Sequence, residues 1–226
     1  MFIYDEYYFF YAIIILIITL FAQLRIKLTF RKYSKIKCNM TGFDSANLVL
    51  KQNDVNGVQF YKSQGYLSDH FDPRDNSISL SSMVYNNNSI SAIGVGAHEA
   101  GHAVQMAKDY FPMKLRHNLV PVTNFSSMLA MPLVFLGLIS VQDFLITAGI
   151  LLFSISVLFH IVTLPVESNA SKIALVALEE SGKLTTEELE GAKKVLMAAR
   201  FTYIAAILTS IISLLRLIIL ANRRKR

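Results

Sequence analysis

Long uncharged apolar blocks constrain this chain more than any other feature. Residues 7–24 (YYFFYAIIILIITLFAQL) contain no charged side chain, and residues 201–220 contain only Arg216. Between residues 126 and 164 the acidic and basic side chains are Asp143 and His160. Asp143, beside Gln142, divides that segment into two runs of spanning length. In hydrocarbon every backbone N–H and C=O must be satisfied internally, so such blocks fold as helices. The chain is 53% hydrophobic, above the roughly 45–50% of ordinary soluble domains. The expected fold is mainly α: a polytopic helical membrane protein with a modest polar domain.

The basic residues follow the same logic. Arg25, Lys27, Arg31 and Lys32 adjoin the first apolar block, and residues 223–226 form a basic tail. Cations so placed face lipid headgroups and set topology, which argues for the bilayer as a partner and against nucleic acid. Asp5 and Glu6 precede the first block and the basic residues follow it, without a small-residue cleavage site, so a retained spanning helix or signal anchor is expected. Cys38 has no second cysteine to pair with and no metal-ligating neighbours, and reads as incidental.

Five segments follow: residues 1–40, an N-terminal spanning helix and basic linker; 41–122, a polar segment; 123–164, a hairpin of spanning helices; 165–200, a polar stretch with Glu and Lys at helical spacings; and 201–226, a C-terminal apolar helix with a basic tail. Within the polar segment, residues 43–50 read as a short helix with Thr41 as N-cap. Residues 58–61 and 78–80 read as strands, and residues 86–107 as one long helix after an Asn/Ser cluster. The hairpin is expected to turn near residues 140–143.

The long helix carries the chemistry. It reads GVGAHEAGHAVQ, which places His98 and His102 four residues apart on one face, about one turn from each other. Two imidazoles at that spacing can share one metal ion. Glu99 adjoins the first of them, where a carboxylate can take a proton from a water and pass it to a leaving amine. A chance match in a chain with five histidines is improbable. Ala100 and Gly101, between the histidines, suit a helix whose surface lies close to a neighbouring backbone.

A catalytic zinc needs a third protein ligand and an open position. His117, His160 and Glu167 are downstream candidates. Glu167 is the best of them, because LPVESNAS follows the second hairpin run and the hairpin returns the chain to the membrane face of His98. The alternative for Glu167 is a solvated first-turn carboxylate after Pro165. His117, near a helix end, and His160, within an apolar run, read as structural.

The segments LSDHFDPRDNSISLS (67–81), SISAIGVGAHEAGHAVQ (89–105), RHNLVPVTN (116–124) and LPVESNAS (164–171), in this order and spacing, resemble the neutral zinc metallopeptidases of bacterial membranes, the YugP-like family. The likeness covers most of residues 41–206. It implies a zincin-like domain with a small edge sheet and a gluzincin-type site with one Zn2+ per chain. In that site His98, His102 and Glu167 are ligands and Glu99 is general base and acid. The family reads Glu-Phe-Asp-Ala-Ser where this chain has Glu-Ser-Asn-Ala-Ser, so Asn169 stands in place of a carboxylate behind the ligands. An amide still accepts a hydrogen bond but supplies no charge to raise a ligand's basicity. Asp69, His70 and Asp72 belong to the resemblance as substrate-proximal candidates; an Asx turn in a proline-containing loop explains them equally well.

The expected function is a membrane-embedded zinc endopeptidase acting on peptides or membrane proteins. A catalytically inactive zinc-binding scaffold or metal sensor is the alternative that Asn169 keeps open. A metal transporter ranks last, since His98 and His102 fall in the polar segment and not between spans. Residues 25–37 place the site on the cytoplasmic side of the bacterial plasma membrane by the positive-inside rule. The same rule objects to an external basic C-terminus, unless the last block only dips into the membrane with Arg216 snorkelling.

Overall fold

The structure, a computed structural model, describes residues 8–65 and 68–224. Asp5, Glu6, Tyr7, Leu67, Lys225 and Arg226 lie outside the described residues. Helices dominate: α1 (Tyr8–Tyr33), α2 (Gly42–Gln52), α3 (Ile90–Ala107), α4 (Phe111–Ser140), α5 (Asp143–Glu180) and α6 (Thr186–Arg224), with strands β1 (Gln59–Ser63), β2 (His70–Asp72) and β3 (Ser77–Ser81) between α2 and α3. Four of the helices, α1, α4, α5 and α6, are long and apolar enough to cross a membrane. The fold is that of a polytopic helical membrane protein with a small three-stranded sheet. The chain divides into two compact units, residues 24–114 with 165–201, and residues 1–23, 115–164 and 202–226.

In the first of these units the strand order is β1-β3-β2. β1 runs parallel to β3 with Gln59 opposite Ser77, and β2 runs antiparallel to it with Phe71 opposite Ile78. The strands expected over residues 58–61 and 78–80 are β1 and β3, each lengthened and the first shifted by one residue. β2 falls in the segment read as a loop. Helix α2 begins with a capping box: Asp44 N–H donates to Thr41 Oγ1 while Thr41 N–H donates back to the Asp44 carboxylate. Helix α3 starts at Ile90, four residues later than the Asn/Ser cluster suggested. Ser89 is its cap, accepting from Ala92 N–H; of the preceding asparagines, Asn87 Oδ1 accepts from Ser89 N–H and Asn88 pairs with Cys38, accepting its N–H and donating from Nδ2 to its carbonyl.

Ile78 and Leu80 of β3, Val49 of α2, Ile93 and Val104 of α3, Val166 and Leu178 of α5, and Val195 and Leu196 of α6 form one core. Removing each such side chain from water contributes about 1.5–3 kcal/mol. Helices α2 and α3 meet so closely that a Cβ on Gly96 would collide with the Gly42 carbonyl, and Ser45 Oγ donates to Ile93 O across the contact at 2.9 Å. Cys38 is buried, and that burial, with a hydrogen bond to Glu188, pushes its thiol up to about 12. The thiol stays protonated and unreactive at neutral pH.

The second unit is built from apolar helix segments. α4 and α5 form the hairpin, with Val141 in the left-handed region at φ 60° in the turn between them. A Cβ on Gly149 would stand 2.7 Å from Ala130 O, and Ser127 Oγ lies 2.8 Å from Ser156 Oγ. Small residues and cross-helix hydroxyls are the means by which helices associate where no hydrophobic driving force exists between them. Large apolar side chains such as Phe9, Leu16, Phe135, Phe144 and Leu151 point outward, as a surface in contact with acyl chains requires.

Candidate metal centre

Three elements of the helical and sheet unit position the chemistry. His98, Glu99 and His102 lie on α3, Glu167 on α5, His70 at the start of β2 and Asp69 immediately before it. Helix α5 runs unbroken through Pro165, so Glu167 and Ser171 stand one turn apart on one face. Glu167 is therefore a buried mid-helix carboxylate, 2% exposed, and not the solvated first-turn group considered above.

Gly101 lets the two helices touch. A Cβ there would sit 2.5 Å from Ala170 O and 3.1 Å from Ala170 Cα. The close approach anticipated for the small residues between the histidines thus falls on α5, one turn from Glu167. It carries the Glu167 carboxylate to the histidine edge: Oε2 is 3.1 Å from His98 Nε2 and 3.6 Å from His102 Nε2. The imidazole rings stand 4.7 Å apart, edge to face. Among the described residues, His98, His102 and Glu167 are the one group of three whose ligand atoms, within 4.8 Å of one another, could hold a metal ion.

The donor set fits zinc. A tetrahedral ion with bonds of about 2.0–2.1 Å has ligand atoms about 3.3 Å apart, and the 3.1 and 3.6 Å separations bracket that value. Two imidazoles and one carboxylate are also the composition that leaves a fourth position open.

The far nitrogen of each ring is held. His98 Nδ1 lies 3.2 Å from Ser171 Oγ, and His102 Nδ1 lies 3.0 Å from Gln105 Oε1. With Nδ1–H donating in each case, both Nε2 lone pairs face the shared locus. Gln105 is itself fixed, donating from Nε2 to Val166 O at 2.8 Å and to Asn169 Oδ1 at 2.9 Å. Asn169 therefore reaches the histidine through the Gln105 amide and not directly.

Gln105 and Ser171 were not singled out from the sequence. The available signal was spacing, Gln105 three residues beyond His102 and Ser171 four beyond Glu167. We expect Gln105→Leu to weaken zinc binding about 10–100-fold, read by competition against a chelating dye. Unchanged affinity would show that His102 keeps its orientation without the amide.

Glu99 is 9% exposed. Burial pushes its carboxyl up to about 7; Glu167 and Asp69 add to the rise, and the charges of His98 and His70 oppose it. A bound dication would draw it down again. Asp69 and His70 are thus within electrostatic reach of Glu99. Burial also raises Asp69, whose carboxylate accepts from Ser81 N–H at 2.7 Å and from Ser81 Oγ at 3.2 Å, fastening the entry of β2 to β3. His70 is exposed, with Nδ1 2.9 Å from Ser68 O. Asp72 is not part of this gathering: it closes an Asx turn with Arg74 N–H and pairs with the Arg74 guanidinium at 2.6 Å, which holds its carboxyl at about 2.

Residues 8–222 match the family model described as "Putative neutral zinc metallopeptidase". The chain is 42% identical over 206 residues to the "Putative membrane protease YugP" of Bacillus subtilis (strain 168), covering 90% of this chain and 91% of that protein. No solved structure matches the chain. With the match running almost from end to end and the relative aligned over nine-tenths of both proteins, the chain belongs to this family of membrane zinc metallopeptidases.

Proposed function

We propose that the chain is an endopeptidase of the bacterial plasma membrane in which His98, His102 and Glu167 hold one zinc ion and Glu99 is the general base and acid. The observation that carries the reading is the convergence of one ligand atom each from His98, His102 and Glu167 within 4.8 Å, with buried Glu99 adjoining the first ligand. Zinc held there supplies Lewis-acid polarisation of a water and of the scissile carbonyl. Glu99 takes the proton from the attacking water on its carboxylate and returns it to the amine nitrogen as the peptide bond breaks. Ser171 and Gln105 keep the two imidazoles in the Nδ1–H tautomer, so that neither ring turns away from the site.

The substrate is an extended peptide or membrane-protein segment. β2 is an edge strand with one side already paired to β3, which leaves its outer backbone groups to pair with an extended chain near Glu99. The basic residues after the first apolar block support a cytoplasmic site. An inactive zinc-binding scaffold is favoured by one observation only, that Gln105 meets the neutral Asn169, at the position where the resemblance implies a carboxylate.

Metal removal separates the two readings. Detergent-purified protein should contain about one zinc per chain and cleave casein. A chelator should abolish the cleavage, and added zinc should restore it. Zinc without cleavage of casein or of an unfolded membrane-protein substrate would favour the scaffold.

A further inference from the structure

A cavity of about 300 Å3 lies between α1 and α6, lined by Arg25, Leu28, Thr29, Lys32 and Tyr33 from one helix and Lys194 and Met197 from the other. Its α1 residues repeat at helical spacing, so a single face carries two cations and two hydroxyls. No acidic side chain among the described residues lines it. Among the described residues none of its three cations is in an ion pair: the Arg25 guanidinium lies over the Phe201 ring at 4.7 Å and Lys32 beside the Tyr33 ring at 5.4 Å. A concave site with three positive charges, two hydroxyls and no counter-charge is complementary to a phosphate.

Position in the chain indicates which phosphate. The first apolar block ends at Leu24, immediately before Arg25, and the last begins at Phe201, the residue beneath that guanidinium. The Arg25–Phe201 contact therefore marks where two hydrocarbon-length runs meet polar sequence, the depth of lipid headgroups. Leu28 and Met197 supply apolar wall beside the cations. We propose that this cavity is a binding site for one anionic phospholipid, its phosphate held by Arg25, Lys32 and Lys194. The site is separate from the metal centre and does not depend on the peptidase reading.

The test uses full-length protein and native mass spectrometry, counting phosphatidylglycerol retained against phosphatidylcholine. One variant carries Arg25→Gln, Lys32→Gln and Lys194→Gln. A second carries Lys27→Gln, Arg31→Gln and Lys193→Gln, neighbours that lose the same charge without lining the cavity. The cavity variant should lose affinity for one phosphatidylglycerol on the order of 100-fold, and the matched variant should retain it. Lys194→Gln alone, at an exposed position, should weaken binding roughly fivefold and guards against misfolding of the triple variant. Equal losses in the two triple variants would overturn the proposal, reducing it to general surface attraction. Displacement of the lipid by millimolar glycerol 3-phosphate would overturn it too, because the ligand would then be a soluble phosphate.

Discussion

Glu99→Gln should lower casein cleavage by about 10²–10⁴-fold while leaving zinc content unchanged. The substitution keeps the size and shape of a side chain that is 9% exposed, so packing around α3 is preserved. It removes only the capacity to accept and return a proton. The proposed zinc ligands are His98, His102 and Glu167, the group that could hold a metal ion; none of them changes, and the Ser171 and Gln105 contacts behind the imidazoles do not involve Glu99. Among the described residues near Glu99 no equivalent base stands ready: Asp69 is fastened to Ser81, and His70 is exposed on β2. Cleavage within tenfold of wild type, at equal zinc content, would transfer the base to Asp69 or His70 and sink the assignment. Cleavage that is undetectable in both proteins, with zinc retained, would instead point to the scaffold.

The parts of this molecule legible in the sequence are those set by local chemistry. An uncharged run of spanning length has only one way to satisfy its backbone in lipid, and α1 and the α4–α5 hairpin follow from that. The capping box of α2 is likewise encoded within four residues, Thr41 to Asp44. β2 was missed because three residues before Pro73 carry no strand signal of their own; the strand exists because Phe71 pairs with Ile78 across the ladder. Helix α4 begins at Phe111 and continues through Pro121 and Pro132, and α5 through Pro165. Proline normally ends a helix in water, but within spanning helices neighbouring groups re-satisfy the freed backbone. Gln105 and Ser171 were hidden for a different reason. Their roles depend on how α3 lies against α5, and that is decided by a missing Cβ at Gly101 meeting the Ala170 carbonyl.

Glu167→Ala should strip the metal as severely as His102→Ala, a loss exceeding the about 10–100-fold expected when only a hydrogen-bond partner behind a ligand is removed. Position and burial together make Glu167 hard to replace. Among the described residues, Glu167 Oε2 is the one acidic atom within 3.6 Å of both Nε2 atoms, and it is buried at 2% exposure. Two imidazoles alone would leave the ion with half of a tetrahedral shell and no protein carboxylate to complete it. Alanine also relieves the apo protein of a buried carboxylate, so the metal-free fold should survive and circular dichroism should change little. That preserved fold is what makes zinc content interpretable. Unchanged zinc in Glu167→Ala would move the third ligand to His117, His160 or Asp72, of which Asp72 is already committed to Arg74. Loss of zinc in Glu167→Ala beside retention in Glu99→Gln would separate two carboxylates near one locus by role, one holding the ion and the other moving the proton.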